Sequence, residues 1–369
     1  MKKIGVLTSS RADYGIYLPL LKSLENNPNF NLKLIVFGTH LSPFHGFTIN
    51  QIIEDGFKVD YQIESMLAGN SPNAISTAMA LTSLKFADFW KNFNQEFDLV
   101  FCLGDRFEMF AAVISGIPFG IKYAHLYGGE KTLGAIDHFF RHSISLASKY
   151  HFVSCDANAH RVAELIESEN NIFNIGSLSL DKLDSFPLLD IAEFKDQFDF
   201  DLTKPTILVT VHPETIFPDN NSHNIQELIK ALIELDNYQI LITLPNADTN
   251  SSIIREKLLT LSDQSNGRIR CYENLGYRGY FTAMKFCSFL LGNTSSGIIE
   301  AASFQKMVIN LGTRQLGREQ SSNVINLPFD HNIILESVKI IENDLIYKGP
   351  NIYYKKDVAQ KICSILKDL

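Results

Sequence analysis

One phrase recurs along the sequence: a short continuous apolar run, a polar or glycine-containing turn, then a helical pattern. Residues 4–7 lead into Thr8–Asp13, residues 32–37 into Gly38-Thr39-His40, residues 99–103 into Gly104-Asp105-Arg106, and residues 123–126 into Tyr127-Gly128-Gly129-Glu130. The phrase restarts after Pro205. Residues 207–211 precede His212-Pro213-Glu214, and 240–244 precede Pro245-Asn246-Ala247-Asp248. Residues 289–291 precede Gly292-Asn293-Thr294-Ser295-Ser296-Gly297, and 308–311 precede Gly312-Thr313-Arg314. Continuous apolar runs alternating with helices indicate parallel strands covered on both faces. The expected fold class is therefore α/β, with two Rossmann-like doubly wound domains facing a cleft.

A chain of 369 residues is too long for one ordinary core and suits two. The expected boundaries are an N-terminal domain over 1–182, a connection over 183–204, a C-terminal domain over 205–350 and a terminal helix within 351–369. The connection is rich in Asp, Phe and Lys and is interrupted by Pro187. With 45% apolar and 20% charged residues, the composition is that of a globular protein, and a formal net charge of −8 argues against nucleic acid or an anionic membrane as partner. The five cysteines are scattered and form no CxxC pair, so reduced thiols are expected. The apolar stretch at the N-terminus ends at Thr8, too short for an export signal, and no run is long enough to span a bilayer. A cytoplasmic protein is expected.

In open α/β sheets ligands bind beyond the carboxyl ends of the strands, and the unusual polar clusters fall there. The turn Gly292–Gly297 combines two glycines, a threonine and two serines, more than a helix cap requires, and suits a phosphate. Glu300, one turn further on, is placed for a ribose, although a lone glutamate there is more often a solvated charge. Asp105 alone would be an ordinary helix cap; beside Arg106 at a strand end it becomes a candidate acid or base. Glu130, Asp137, His138, Arg141 and His142 crowd one segment after the Gly128-Gly129 turn, where a surface salt bridge between Asp137 and Arg141 is the dull alternative. His212, held extended by Pro213, is a candidate diphosphate contact, with Arg11 and Arg314 supplying positive charge. Neither GxGxxG nor the GxxxxGK[ST] P-loop occurs, and no HxH or HExxH cluster suggests a metal.

These residues closely resemble the hydrolysing UDP-N-acetylglucosamine 2-epimerase family of the bacterial sialic and legionaminic acid pathways. The resemblance spans nearly the whole chain. It includes Ser10-Arg11-Ala12-Asp13-Tyr14-Gly15, Leu103-Gly104-Asp105-Arg106-Phe107-Glu108, Gly128-Gly129-Glu130-Lys131-Thr132-Leu133, His212-Pro213-Glu214-Thr215, Asn246-Ala247-Asp248 and Asn310-Leu311-Gly312-Thr313-Arg314-Gln315. It implies a glycosyltransferase-B-like fold whose last helix returns to the first domain. The implied reaction removes the C2 proton of a UDP-2-acetamido sugar, expels UDP to give a glycal, and adds water to release a free manno-configured sugar. The substrate is UDP-N-acetylglucosamine or its 2,4-diacetamido-2,4,6-trideoxy analogue, and no nicotinamide or obligatory metal is implied. A homodimer or homotetramer is expected.

By resemblance, Asp105 and Asp137 match catalytic carboxylates. Arg11, Arg106, Arg141, His212, Ser295, Glu300 and Arg314 match positions around the diphosphate, ribose and sugar. His142, Asn246, Thr294, Ser296 and Gly297 complete the expected binding set. Many relatives carry a glutamate immediately before the Gly-Gly turn where this chain has Tyr127. Either Tyr127 relays a proton or Glu130 takes over, and Glu130 is favoured because an ordinary tyrosine, with pKa ~10, is a poor base at neutral pH. A glycosyltransferase and a non-catalytic nucleotide-sugar-binding protein are the competing readings. The retained carboxylates Asp105, Glu130 and Asp137 argue against the second.

Overall fold

Each of the eight apolar runs forms a parallel strand whose side chains alternate between two buried faces. The computed structural model describes residues 1–67, 69, 71–133, 136–181, 183, 187–214, 218–245, 251–344 and 346–369. It divides into two compact units: Met1–Glu130 with Asp137–Lys182 and Lys355–Leu369, and Lys131–Ile136 with Leu183–Tyr354.

The first unit holds β1 (Lys2–Thr8), β2 (Phe30–Phe37), β3 (Val59–Ile63), β4 (Leu99–Leu103), β5 (Tyr123–Leu126), β6 (Tyr150–Val153) and β7 (Ile172–Asn174). They form one parallel sheet in the order β3-β2-β1-β4-β5-β6-β7. Period-two alternation sorts β4 cleanly. Leu99, Phe101 and Leu103 enter one core with Leu20, Leu21 and Leu24 of the first helix, while Val100 and Cys102 enter the other with Phe86 and Trp90. Fully burying each such side chain contributes ~1.5–3 kcal/mol, which is why these runs carry so few polar residues.

The terminal helix, Val358–Asp368, belongs to this unit. Val358, Ala359, Ile362, Cys363 and Leu366 line its buried face. Its own cap residue, Asp357, is left-handed (φ 55°) and makes no side-chain cap bond. Asp181 supplies the missing acceptors, taking the Val358 and Ala359 N–H groups at 2.8 and 2.7 Å. At the other end the Lys2 ammonium donates to the Leu366 carbonyl at 2.7 Å.

The second unit holds β8 (Thr206–Thr210), β9 (Gln239–Thr243), β10 (Ile269–Tyr272), β11 (Phe289–Gly292), β12 (Val308–Leu311) and β13 (Val324–Leu327), all parallel, in the order β10-β9-β8-β11-β12-β13. Ile207 and Val209 face one core and Leu208 the other. Helix Ile191–Phe198, opened by an Asp190–Glu193 capping box, buries Phe194 in this unit's core. Each sheet therefore has one point where the strand order reverses, between β1 and β4 and between β8 and β11. Adjacent loops there leave the sheet in opposite directions and open a crevice. Among the described residues no helix is long and apolar enough to cross a membrane.

Candidate active site

In the first unit the reversal point carries Arg11 after β1 and Asp105 and Arg106 after β4. Ser10 caps the helix Arg11–Glu25, and its hydroxyl accepts from the Asp13 N–H, which leaves Arg11 exposed on the first turn. Asp105 is not the helix cap that its position suggests; Arg106 caps Phe107–Gly116. The Asp105 carboxylate instead pairs through Oδ2 with the Arg141 guanidinium. Arg106 donates to Glu108 at 2.9 Å, against a carboxylate that is fully buried.

Arg141 is the hub. It lies on the helix Asp137–Ala147, and its Nη1 donates to the Tyr127 carbonyl at 2.8 Å and stands 3.7 Å from Glu130 Oε2. At 3% exposure it is no surface salt-bridge partner for Asp137, the dull alternative that its spacing allowed. Glu130 and Asp137 do not share a helix, because the helix begins at Asp137. Glu130 is buried, and its Oε1 accepts from Ser154 Oγ at 2.9 Å, while Asn158 Nδ2 donates to the same hydroxyl at 3.0 Å. A carboxylate so placed costs several kcal/mol in desolvation unless paired, and Arg141 and Ser154 pair it.

Tyr127 has φ +65°, a left-handed conformation unusual for a bulky residue and costing of order 1–3 kcal/mol. Its N–H donates to the Phe152 carbonyl at 2.9 Å, and the turned backbone offers its carbonyl to Arg141. The phenol lies away from Arg141's grip on this carbonyl, within 3.0 Å of the Ser177 hydroxyl and accepting the Ser179 N–H at 3.2 Å. His142 and His138, one turn apart on the same helix, approach Nε2 to Nε2 at 3.1 Å.

Two buried histidines support these loops without having stood out as site residues. His125 Nε2 bonds the Gly104 carbonyl at 2.9 Å, so that nitrogen carries the proton, and Nδ1 accepts from the Ser145 hydroxyl at 3.0 Å. Burial pushes its pKa down to about 3. It thereby braces Gly104, which turns at φ +74° directly before Asp105. His40 spans Thr8 and Thr48 at 2.9 and 2.8 Å, and burial lowers its pKa as well. The signal available in the sequence was a titratable residue inside the otherwise apolar run 123–126.

In the second unit β8, β11 and β12 are neighbours, so the loops carrying His212, Thr294–Gly297 and Arg314 leave the same sheet edge side by side. Gly292 is needed where it stands. At φ +144° its Cα faces the Thr210 backbone so closely that no Cβ fits. Thr294 caps the short helix Ser295–Ile299, taking the Ser296 N–H at 3.3 Å. Ser295 is exposed, whereas the Ser296 hydroxyl is buried, alongside the Tyr280 phenol whose pKa burial pushes up to about 12. Glu300 is buried at the end of that helix. Arg314 Nη1 donates to the Pro213 carbonyl at 3.0 Å, and Glu214 accepts the Thr313 N–H and hydroxyl at 2.5 and 3.1 Å. Asn246 lies outside the described residues. Among the described residues no group of three or more His, Cys, Asp or Glu side chains is placed to hold a metal ion.

Two parallel sheets of this order, each with helices on both faces and its polar loops at the reversal point, define the glycosyltransferase-B-like class of two Rossmann-like domains. The profile of the UDP-N-acetylglucosamine 2-epimerase family matches residues 22–367. The chain is 34% identical over its full length to the polysialic acid biosynthesis protein P7 of Escherichia coli, 94% of which is covered. It is 33% identical, again over its full length and over 96% of the relative, to the hydrolysing UDP-N,N'-diacetylbacillosamine 2-epimerase of Legionella pneumophila. Among solved structures, the UDP-GlcNAc 2-epimerase of Neisseria meningitidis, crystallised with UDP-GlcNAc, superimposes over 100% of both chains with a TM-score of 0.83 at 17% identity. The chain belongs to the UDP-N-acetylglucosamine 2-epimerase family and is an enzyme of the hydrolysing 2-epimerase type.

Proposed function

We propose that the protein converts a UDP-2-acetamido sugar to UDP and the free manno-configured sugar, supplying nonulosonic (sialic or legionaminic) acid synthesis. The observation that carries the reading is the Asp105–Arg141–Glu130 cluster at the reversal point of the first sheet, in a chain matched end to end by its relatives. Asp105 takes the C2 proton through the oxygen not engaged by Arg141. Glu130, Asp137 and Tyr127 share the remaining proton handling and positioning, and Arg11, Arg106 and His142 contact the sugar and diphosphate. As UDP leaves from C1, negative charge develops on the diphosphate, and fixed cations and backbone N–H groups stabilise it there. Arg314, His212 and the Thr294–Gly297 turn provide these contacts, Glu300 takes the ribose, and Asn246 completes the proposed nucleotide-binding set. Water then adds to the glycal at C1 while C2 is reprotonated on the opposite face.

Two sugars suit this reading. The name of the Legionella relative supports UDP-N,N'-diacetylbacillosamine, that of the Neisseria meningitidis relative supports UDP-N-acetylglucosamine, and that of the Escherichia coli relative supports a sialic acid as the eventual product. Offering both to the purified protein and comparing kcat/KM identifies the natural one; inactivity on both would refute the proposal. We place the enzyme in the cytoplasm, a reading supported by its five cysteines, which are thiols rather than disulfides. We further propose a homodimer or homotetramer, supported by exposed Leu84, Phe139 and Leu146 on helices of one face of the first sheet and testable by light scattering.

A further inference from the structure

Among the loops of the second sheet, one side chain satisfies a neighbouring loop's backbone in both directions. Asn293 is fully buried at the end of β11. Its Oδ1 accepts the His212 N–H at 2.7 Å, and its Nδ2 donates to the His212 carbonyl at 2.9 Å. Its own N–H donates to the Thr210 carbonyl at 3.0 Å, and its own carbonyl accepts Gln315 Nε2 at 2.8 Å. All four polar groups of this residue are thereby used, and they tie together the loops after β8, β11 and β12. β11 lies between the other two strands, so its terminal residue is the one that reaches both.

We infer that Asn293 is a positioning residue for nucleotide binding: its carboxamide fixes the His212 backbone, and Gln315 extends the tie to the Arg314 loop. Only a primary amide fits. A carboxylate of the same size keeps the acceptor but sets an oxygen against the His212 carbonyl, and alanine leaves a buried N–H and C=O without partners. Proline at 213 limits His212 to extended backbone but does not set where its ring points relative to the neighbouring strand, and the Asn293 pairing does. The inference rests on the proposed contact between His212 and UDP.

The test is a double-mutant cycle on UDP affinity, measured by calorimetry on the full chain, with His212→Ala, Asn293→Ala and the double variant. Asn293→Asp serves as the variant that preserves side-chain volume, and thermal unfolding is recorded for each. The expected result is that His212→Ala and either Asn293 variant each weaken UDP binding about tenfold or more, and that the double variant is hardly weaker than His212→Ala alone. Unchanged UDP affinity in folded Asn293→Asp, or fully additive losses in the double variant, would overturn the positioning role while leaving the His212 contact standing. Unchanged affinity in His212→Ala would overturn the contact itself.

Discussion

Asp105 and Arg141, 36 residues apart in sequence, form an ion pair between the turn after β4 and the helix that follows β5. The pair fixes one oxygen of the carboxylate and, through the same guanidinium, the carbonyl of Tyr127 and the buried charge of Glu130. A carboxylate held in this way is pre-oriented for the proton transfer proposed for it.

Asp105→Asn should therefore lose ~10²–10⁴-fold in kcat while UDP affinity is retained, because a positioned acid or base contributes about that much. Steady-state kinetics paired with calorimetry read both quantities. An Asp105→Asn enzyme within a few-fold of the parent would remove Asp105 from the proton-transfer step.

Tyr127 and Glu130 should separate. The phenol is engaged by Ser177 and Ser179, so Tyr127→Phe is expected to cost ~1–2 kcal/mol of stability and less than about tenfold in kcat. Glu130→Gln removes a charge facing Arg141 and should cost the larger factor. A crippled Tyr127→Phe beside a nearly normal Glu130→Gln would reverse the assignment.

On the nucleotide side, Ser295→Ala should weaken UDP binding, and Ser296→Ala should do so far less. Only Ser295 is exposed; the Ser296 hydroxyl is buried toward Tyr280. A charge-assisted contact is worth ~1.5–3 kcal/mol, roughly 10- to 150-fold in affinity. Calorimetry showing the two variants equal would misplace the phosphate.

Acid should destabilise the first unit through its buried histidines. Burial lowers His125 to about 3 and His151 to about 4, against ~6.5 in an unfolded chain. Well above pH ~6.5 both states are neutral and stability does not change with pH on their account. As pH falls from there toward 4, the unfolded chain binds protons that the folded one refuses, and stability drops by up to ~1.4 kcal/mol per pH unit for each histidine. Thermal unfolding between pH 7.5 and 5 should show this decline, and His125→Gln should be less stable at pH 7.5 yet less steep. An equal slope in the variant would show that His125 takes up its proton while folded.

The eight largely apolar runs made the fold class legible, because strands buried on both faces carry few polar residues. β3, β7, β10 and β13 are partly exposed outer strands whose mixed composition gives no such signal. β6 is fully buried, but His151 interrupts its run. At the site, Asp105, Glu130 and Arg141 stood out by type and position. Their pairing did not, because an ion pair across 36 residues depends on strand order, which no local pattern encodes. For the same reason Asn293 was visible as part of a polar turn but not as the clamp on a backbone 81 residues earlier.

The central claim, elimination to a glycal followed by hydration, is tested most directly by following the sugar by NMR in D2O, with no acceptor, no nicotinamide and a chelator present. The account predicts UDP and a free manno-configured 2-acetamido sugar in equal amounts, with deuterium at C2 because that carbon is reprotonated from solvent. A released sugar that keeps its original C2 configuration and its C2 proton, or no release until an acceptor or a divalent metal is added, would contradict it.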